Sequence, residues 1–456
     1  MLYESEQGRI TMALNGDLLP ARHLTPFTEE RFLALRDLLR SADVCFANLE
    51  TLVCHYGEGF PAVRTGTHML TEPELLEDLK WFGFNLVATA NSMSLCFGEE
   101  GVLLNNRYLD AAGIVHAGTG RNLREAVSPG YLDTPGGRVA LIATSSQIPM
   151  PSWRATNQRV DFPGKPGLNP LAYRVRLEID RRGFDELRRL GATLGFDAER
   201  ERTVAFGFAG PAAASAGGQD EYEYRGDTYV RSDHFAIHTQ CDKTDLEENL
   251  RQVREARRQA DWIIVSHHNQ EYMGPRWLPD GRRGDVPEQP EHVAEFAHAC
   301  IDAGADVFAC HGPHYLMGVE IYKDRPVFYS LGNLIFENEA LRFTPAYPYE
   351  RFGLGPLATP ADFFDARTGA GTRGHPVDPK YWETIVATCR FDGGKLQEIR
   401  LHPVELGLGR PRSQRGRPLL AAGEAAQKTI ANMQRLCAPY GTKVGARDGV
   451  GVISVR

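Results

Sequence analysis

Short apolar runs rich in β-branched and aromatic residues alternate along this chain with stretches of helical hydrophobic periodicity, the sequence form of an α/β protein with an internal sheet. Runs at 10–14, 44–47, 86–89, 139–143, 262–265, 307–309 and 327–329 predict strands. A helix is predicted over 71–83, with Thr71 and Glu74 as a capping box and Leu75, Leu76 and Leu79 on one face. Thr244 with Glu247 repeats the device ahead of Leu246, Leu250 and Val253. A third helix starts near Glu291, places Val293, Phe296, Ala297, Cys300 and Ile301 at helical spacing, and stops at Gly304. From 148 to 233 a Pro/Gly-rich segment, a charged helical pattern and a Gly/Ala-rich loop break this rhythm, which predicts an insertion over one face of the sheet. A loop-rich segment at about 338–379 precedes strands near 384–391 and 396–401, a helix near 423–436 and a last strand near 449–455.

The polar residues that follow each apolar run carry the chemistry. Asn15, Gly16 and Asp17 follow the first, Asn48, Leu49 and Glu50 the second, and Ala90, Asn91 and Ser92 the third. Later runs lead into Ser266, His267, His268 and Asn269, into Cys310, His311, Gly312, Pro313 and His314, and into Ser330, Leu331, Gly332 and Asn333. Ligands of open α/β sheets bind at the carboxyl ends of the strands. If these strands are parallel neighbours, six tips meet at one pocket. Carboxylate, amide oxygen and imidazole together suit Mn, Zn or Fe, because Mg and Ca sites rarely take several imidazoles. Each residue alone has a plainer reading: a Gly-Asp after a strand is usually a turn with a helix-capping Asp, and Asn91 fits a turn equally well. Cys310, at the end of a buried strand, reads as a small apolar residue rather than a nucleophile.

Composition narrows the function classes. The 456 residues are 42% hydrophobic and 24% charged, enough for a sizeable core. The net charge of −8, with acidic residues spread through the chain, argues against nucleic acid as the partner. No apolar run reaches the roughly 18 residues of a membrane span, and the first residues lack the form of a signal peptide, so a cytoplasmic protein without membrane partner is expected. Eight cysteines are scattered without a CxxC pair, which excludes a zinc-finger module or a disulfide framework.

The ordered set Asn15, Gly16, Asp17 with Arg22; Ala47 to Thr51; Ala90 and Asn91; Gly98 to Gly101; Gly304 to Asp306; His311 to His314; and Tyr329 to Asn333 resembles the CapA/PgsA-type poly-γ-glutamate and capsule biosynthesis proteins of the calcineurin-like metallophosphatase superfamily. The resemblance implies a central β-sandwich flanked by helices, a four-layer α/β/β/α fold, over residues 1–340, with 148–233 inserted over the site and 341–456 as a C-terminal extension. It implies metal ligands at Asp17, Glu50, Asn91, His267, His311 and His314, for one or two divalent ions. Two positions depart from the superfamily pattern: Leu19 stands where Asp-x-His has its histidine, and Met93 stands where a histidine would protonate a phosphate ester's leaving group. A thioether transfers no proton, so a phosphomonoesterase is not expected.

The expected function is a metal-dependent hydrolase of an amide or ester bond in a small, carboxylated or glutamyl-like, peptide-like anionic substrate. Asp17, His268 and His314 are the catalytic candidates, and Arg22, Arg154, Arg159 and Asn333 the substrate-binding ones. Two alternatives stay open. One is metal-dependent racemisation or epimerisation next to a carbonyl; the other is a non-catalytic accessory of capsule or poly-γ-glutamate synthesis. A homo-oligomer is compatible with all three.

Overall fold

The first predicted strand extends beyond its apolar run. In the computed structural model, which describes residues 8–62, 66–147, 151–210, 218–270 and 289–455, it spans Arg9–Leu19. Val44–Leu49 pairs with it in parallel along one edge. On the other edge Glu383–Asp392 runs antiparallel to residues 9–14, and Asn333–Phe336 runs parallel from Asp17 onward. Leu86–Ala88 and Val115–Ala117 continue the sheet beyond Val44–Leu49, while Lys395–Glu405, Val450–Ser454 and Gly445–Arg447 continue it beyond Glu383–Asp392. A second sheet has the order Val319–Tyr322, Arg325–Phe328, Val307–His311, Trp262–His268, Gly137–Ser145, Gly130–Thr134, and its four inner strands are parallel.

Alternation of side chains along these strands stacks the two sheets. Ile10, Met12 and Phe391 face inward on the first sheet, and the Trp262 ring of the second meets Phe391 at 5.1 Å between centroids. Phe46 likewise meets the imidazole of His311 at 5.6 Å. The opposite parity of the first sheet, Ala13, Cys45, Ala47 and Val87, shares one core with Phe32, Leu35 and Leu39 of the helix Glu30–Arg40 and with Leu76, Leu79 and Phe82 of the helix Leu75–Phe82. Each such Leu or Phe contributes about 1.5–3 kcal/mol of burial. Parallel strands need crossover connections. The helices Lys243–Arg257 and Glu291–Ala303 supply them for the second sheet, burying Val253, Ala256, Ala297 and Cys300 completely. This is the helix, sheet, sheet, helix layering that the resemblance implies.

The described chain forms two units: residues 8–171, 247–270 and 297–455, and residues 172–246 with 289–296. The second holds a four-stranded sheet, Glu221–Tyr224, Asp227–Ser232, Tyr173–Asp180 and Ala236–Cys241, with the helices Arg181–Thr193 and Phe196–Ala205. Residues 151–171 belong to the first unit, where Gly167–Leu168 pairs with Thr119–Gly120. The predicted start at 148–150 and the centre of the Gly/Ala-rich loop, 211–217, lie outside the described residues. The tail beyond 341 enters the first sheet directly, because Glu383–Asp392 is the neighbour of Arg9–Leu19.

Three local expectations change. The helix after Thr71 begins at Leu75 with no side-chain cap; the Thr71 hydroxyl instead donates to the Pro20 carbonyl at 2.7 Å. Asp242, not Thr244, accepts the first backbone N–H groups of the helix Lys243–Arg257, from Thr244 at 3.0 Å and Asp245 at 3.2 Å. The segment 338–379 contains the helices Ala346–Arg351 and Pro360–Thr368, the latter closed by a Thr359/Asp362 capping box that signals its start in the sequence.

Candidate metal centre at the strand tips

Asp17 reaches the space between the sheets because its strand is bulged. Leu14 pairs with Phe46 and Asp17 with Asn48, so two residues, Asn15 and Gly16, oppose Ala47 alone. One extra residue reverses the parity of everything after it. Asp17 therefore projects on the same side as Asn48, and its N–H donates to the Gly332 carbonyl at 2.9 Å.

Five ionisable side chains meet there. Asp17 and Glu50 are both 0% exposed, and ligand atoms of Asp17, Glu50 and His268 all lie within 4.8 Å of one another. His268 Nε2 is 3.6 Å from Glu50, His311 Nδ1 is 3.6 Å from Asp17, and His314 Nδ1 is 3.2 Å from Asp17 and 3.5 Å from Glu50. Bonds of about 2.0–2.2 Å place a cation's donor atoms roughly 3–4.3 Å apart, so this spacing fits a divalent ion. Neither ring nitrogen of the buried His311 has a hydrogen-bond partner among the described residues, an arrangement that costs free energy unless something else coordinates it. The donor set of two carboxylates and imidazoles fits Mn, Zn or Fe.

A layer of amides and hydroxyls orients these groups. The Asn48 amide donates to Asp17 at 2.8 Å, and the Ser92 hydroxyl donates to Glu50 at 2.8 Å. Asn333 grips His314 twice: its Oδ1 lies 2.9 Å from Nδ1, and its Nδ2 donates to the His314 carbonyl at 2.9 Å. That grip holds His314 at φ 65°, a conformation a non-glycine residue adopts only at a cost. Gln147 Oε1 lies 3.3 Å from His268 Nε2. The electrostatics follow from this packing. Burial works to raise the Asp17 carboxyl, but His314, His311 and His268 outweigh it and bring it down to about 2. Burial lowers His311 to about 4. At His314 burial is overcome by Glu50, Asp17 and Asn333, which hold the imidazole up at about 9.

The remaining predicted residues fall elsewhere. His267 points to the opposite face of its strand, with Nδ1 2.6 Å from the Thr144 hydroxyl, while His268 takes the place beside the carboxylates. Asn91 is consumed by local bonds: its amide donates to Asn48 at 3.1 Å and to the Leu49 carbonyl at 2.8 Å, and its oxygen accepts from the Met93 N–H at 2.9 Å. It braces Asn48, which braces Asp17. Arg22 pairs with the buried Glu337 at 2.8 Å and also donates to the carbonyls of Ser413 and Arg415. Arg159 pairs with Asp161 at the surface, and Arg154 forms a β-bridge with Leu168. Cys310 is buried, which pushes its thiol far above the nucleophilic range. Met93 packs in the core against the Cys96 sulfur at 3.4 Å. Among the supporting residues, Asn48 and Ser92 stand in the sequence as strand-end polar residues without an assigned role, and only Gln147 is not singled out there.

Residues 11–338 match the family model of the bacterial capsule synthesis protein PGA_cap. The chain belongs to that family. The family is part of the metallophosphatase superfamily, which agrees with a metal-type donor set at the strand tips. Among its relatives, y4sH of Sinorhizobium fredii is 34% identical over 97% of this chain and 92% of its own length. The "Capsule biosynthesis protein CapA" of Bacillus anthracis is 22% identical over 73% of this chain and 61% of its own. A "Probable polyglutamine synthesis accessory protein" of Mycobacterium tuberculosis is 26% identical over 73% of this chain and 65% of its own. Among the described residues of this family member, no helix is long and apolar enough to cross a membrane.

Proposed function

We propose that this chain is a metal-dependent hydrolase of an amide or ester bond in a small carboxylated, glutamyl-like substrate. The observation that carries this reading is the buried cluster of Asp17, Glu50, His268, His311 and His314 at the tips of parallel strands in two mixed sheets. Asp17, Glu50 and His268 would hold a divalent cation, with His311 completing the donor set. When bound, such an ion supplies polarisation of a carbonyl oxygen and a lowered pKa for water. The chain's own residues do the rest. Asn48 and Ser92 fix the carboxylate oxygens, so the ligand geometry is preset before substrate arrives. Asn333 presents the imidazole of His314 toward the carboxylates, where it donates or accepts a proton at a fixed position. Met93 leaves the superfamily's leaving-group acid missing, which favours acyl over phosphoryl substrates.

Protein stripped by chelation should lose turnover of a γ-glutamyl anilide and regain it with Mn²⁺ or Zn²⁺. Equal turnover by the stripped protein would sink the reading. A second reading, a non-catalytic accessory of capsule polymer synthesis, is favoured by the names of the relatives. It predicts binding of an anionic polymer with no turnover under any metal.

A further inference from the structure

A second group of metal-type donors lies away from the strand tips. His55, Glu72 and Glu74 place one ligand atom each within 4.8 Å of the others. His55 Nδ1 is 3.1 Å from Glu72 and 3.9 Å from Glu74. The three come from two separate pieces of backbone: His55 follows the strand Leu52–Val53, and the two glutamates lie between the strand Leu70–Thr71 and the helix Leu75–Phe82. The parallel pairing of those two short strands brings the pieces together. The imidazole meets the Tyr108 ring edge-on, 5.5 Å between centroids, and the backbone N–H of His55 donates to Glu58 at 2.9 Å. The imidazole edge is thus aimed before any ligand arrives.

A cavity of about 590 Å³ opens onto the two carboxylates; Arg22, His23, Arg342 and Phe343 also line it. Among these cations Arg22 is taken up by Glu337. His23 is turned to a different carboxylate, with Nδ1 2.7 Å from Asp78. Arg342 lies over the Phe343 ring, 5.2 Å from its centroid. Glu72 and Glu74 thus line the cavity, with His55 in reach of both. We propose that His55, Glu72 and Glu74 form a divalent transition-metal site at the edge of this cavity, with the remaining coordination positions open to it. One imidazole and two carboxylates select Zn²⁺ or Mn²⁺ over Ca²⁺ or Mg²⁺. The bound ion ties the loop after Val53 to the start of the helix Leu75–Phe82. This site does not depend on the buried centre, whose donors are different residues.

The test is calorimetric titration of the chelator-stripped full chain with Zn²⁺ alone, for the native chain, His55→Gln/Glu72→Gln and Asp17→Asn/His268→Gln. The first variant is expected to lose one equivalent of Zn²⁺ that the second retains. Glu74→Gln, at a side chain 63% exposed, serves as the variant least able to disturb folding and should weaken that same equivalent by about 10-fold. If His55→Gln/Glu72→Gln binds as many equivalents as the native chain with the same affinities, the site does not exist. Loss of binding only in Asp17→Asn/His268→Gln overturns this proposal while supporting the buried centre.

Discussion

Gly16 is pressed against the backbone of Gly332: a Cβ on Gly16 would stand 2.0 Å from the Gly332 carbonyl oxygen. The contact lets Arg9–Leu19 bulge and lets Asn333–Phe336 pair with it from Asp17 onward. Gly16→Ala must push the two strands apart at the point where Asp17 and Asn333 enter the site. It is expected to cost about 3 kcal/mol in urea unfolding and to abolish tight Mn²⁺ or Zn²⁺ binding. Native-like stability with intact metal affinity would remove the bulge from the account.

The adjacent histidines should separate cleanly. His268→Gln deletes a donor beside Glu50 and is expected to lower divalent-ion affinity by more than about 100-fold, whereas His267→Gln, on the face turned to Thr144, should leave it within about 2-fold. Inductively coupled plasma analysis after dialysis against a metal buffer reads both. Equal losses would mean that both imidazoles bind.

Asn48 is a positioning residue, acting through its 2.8 Å bond to Asp17. Asn48→Ala should weaken the metal about 10- to 100-fold, and Asn48→Asp, which adds a third carboxylate without a donor, should not restore the native value. A purely structural role would change the melting temperature and leave the metal dissociation constant where it was.

Arg22 neutralises a carboxylate that is fully buried. Burial raises the Glu337 carboxyl, and the guanidinium of Arg22 opposes that rise. Removing Arg22 strands the charge, so Arg22→Ala should destabilise the protein by about 3 kcal/mol, and Arg22→Ala/Glu337→Gln should recover part of it. A change in substrate KM without a change in stability would instead make Arg22 a substrate contact.

Acid stability should report two half-buried imidazoles. Burial lowers His402 to about 4; burial, with the positive neighbours His314, Arg367 and Lys380, lowers His375 to about 3. The unfolded chain takes these protons near pH 6.5 and the folded chain does not, so the stability is whole above that pH and declines as pH falls from 6.5 toward 4. Each contributes a slope of about 1.4 kcal/mol per pH unit, and His402→Gln should remove one such increment from the unfolding free energy measured between pH 6 and 4.5. An unchanged slope would mean that His402 is protonated in the folded state.

Much of the fold was legible because strands and helices leave local marks. The apolar runs at 10–14, 44–47, 262–265 and 307–309 each coincide with a strand of one sheet or the other, and Gly304, at φ 117°, ends its helix as its position suggests. Caps were less legible. Thr71 and Thr244 satisfy the sequence rule, yet a neighbouring carbonyl claims the first and Asp242 displaces the second.

For the site, the sequence by itself determined which residues stand at the strand ends: Asp17, Glu50, His268, His311 and His314 are all written directly after apolar runs. Tertiary structure alone decided which of them meet. Neighbouring side chains on a strand point to opposite faces, so the pair His267 and His268 guarantees one imidazole in the site without saying which. The choice was made by the facing sheet, which takes Trp262 against Phe391 and so turns His268 inward. Asp17 needed a bulge at Asn15 and Gly16 to arrive on that side, and the bulge exists because another strand, more than three hundred positions along the chain, brings Gly332 against Gly16.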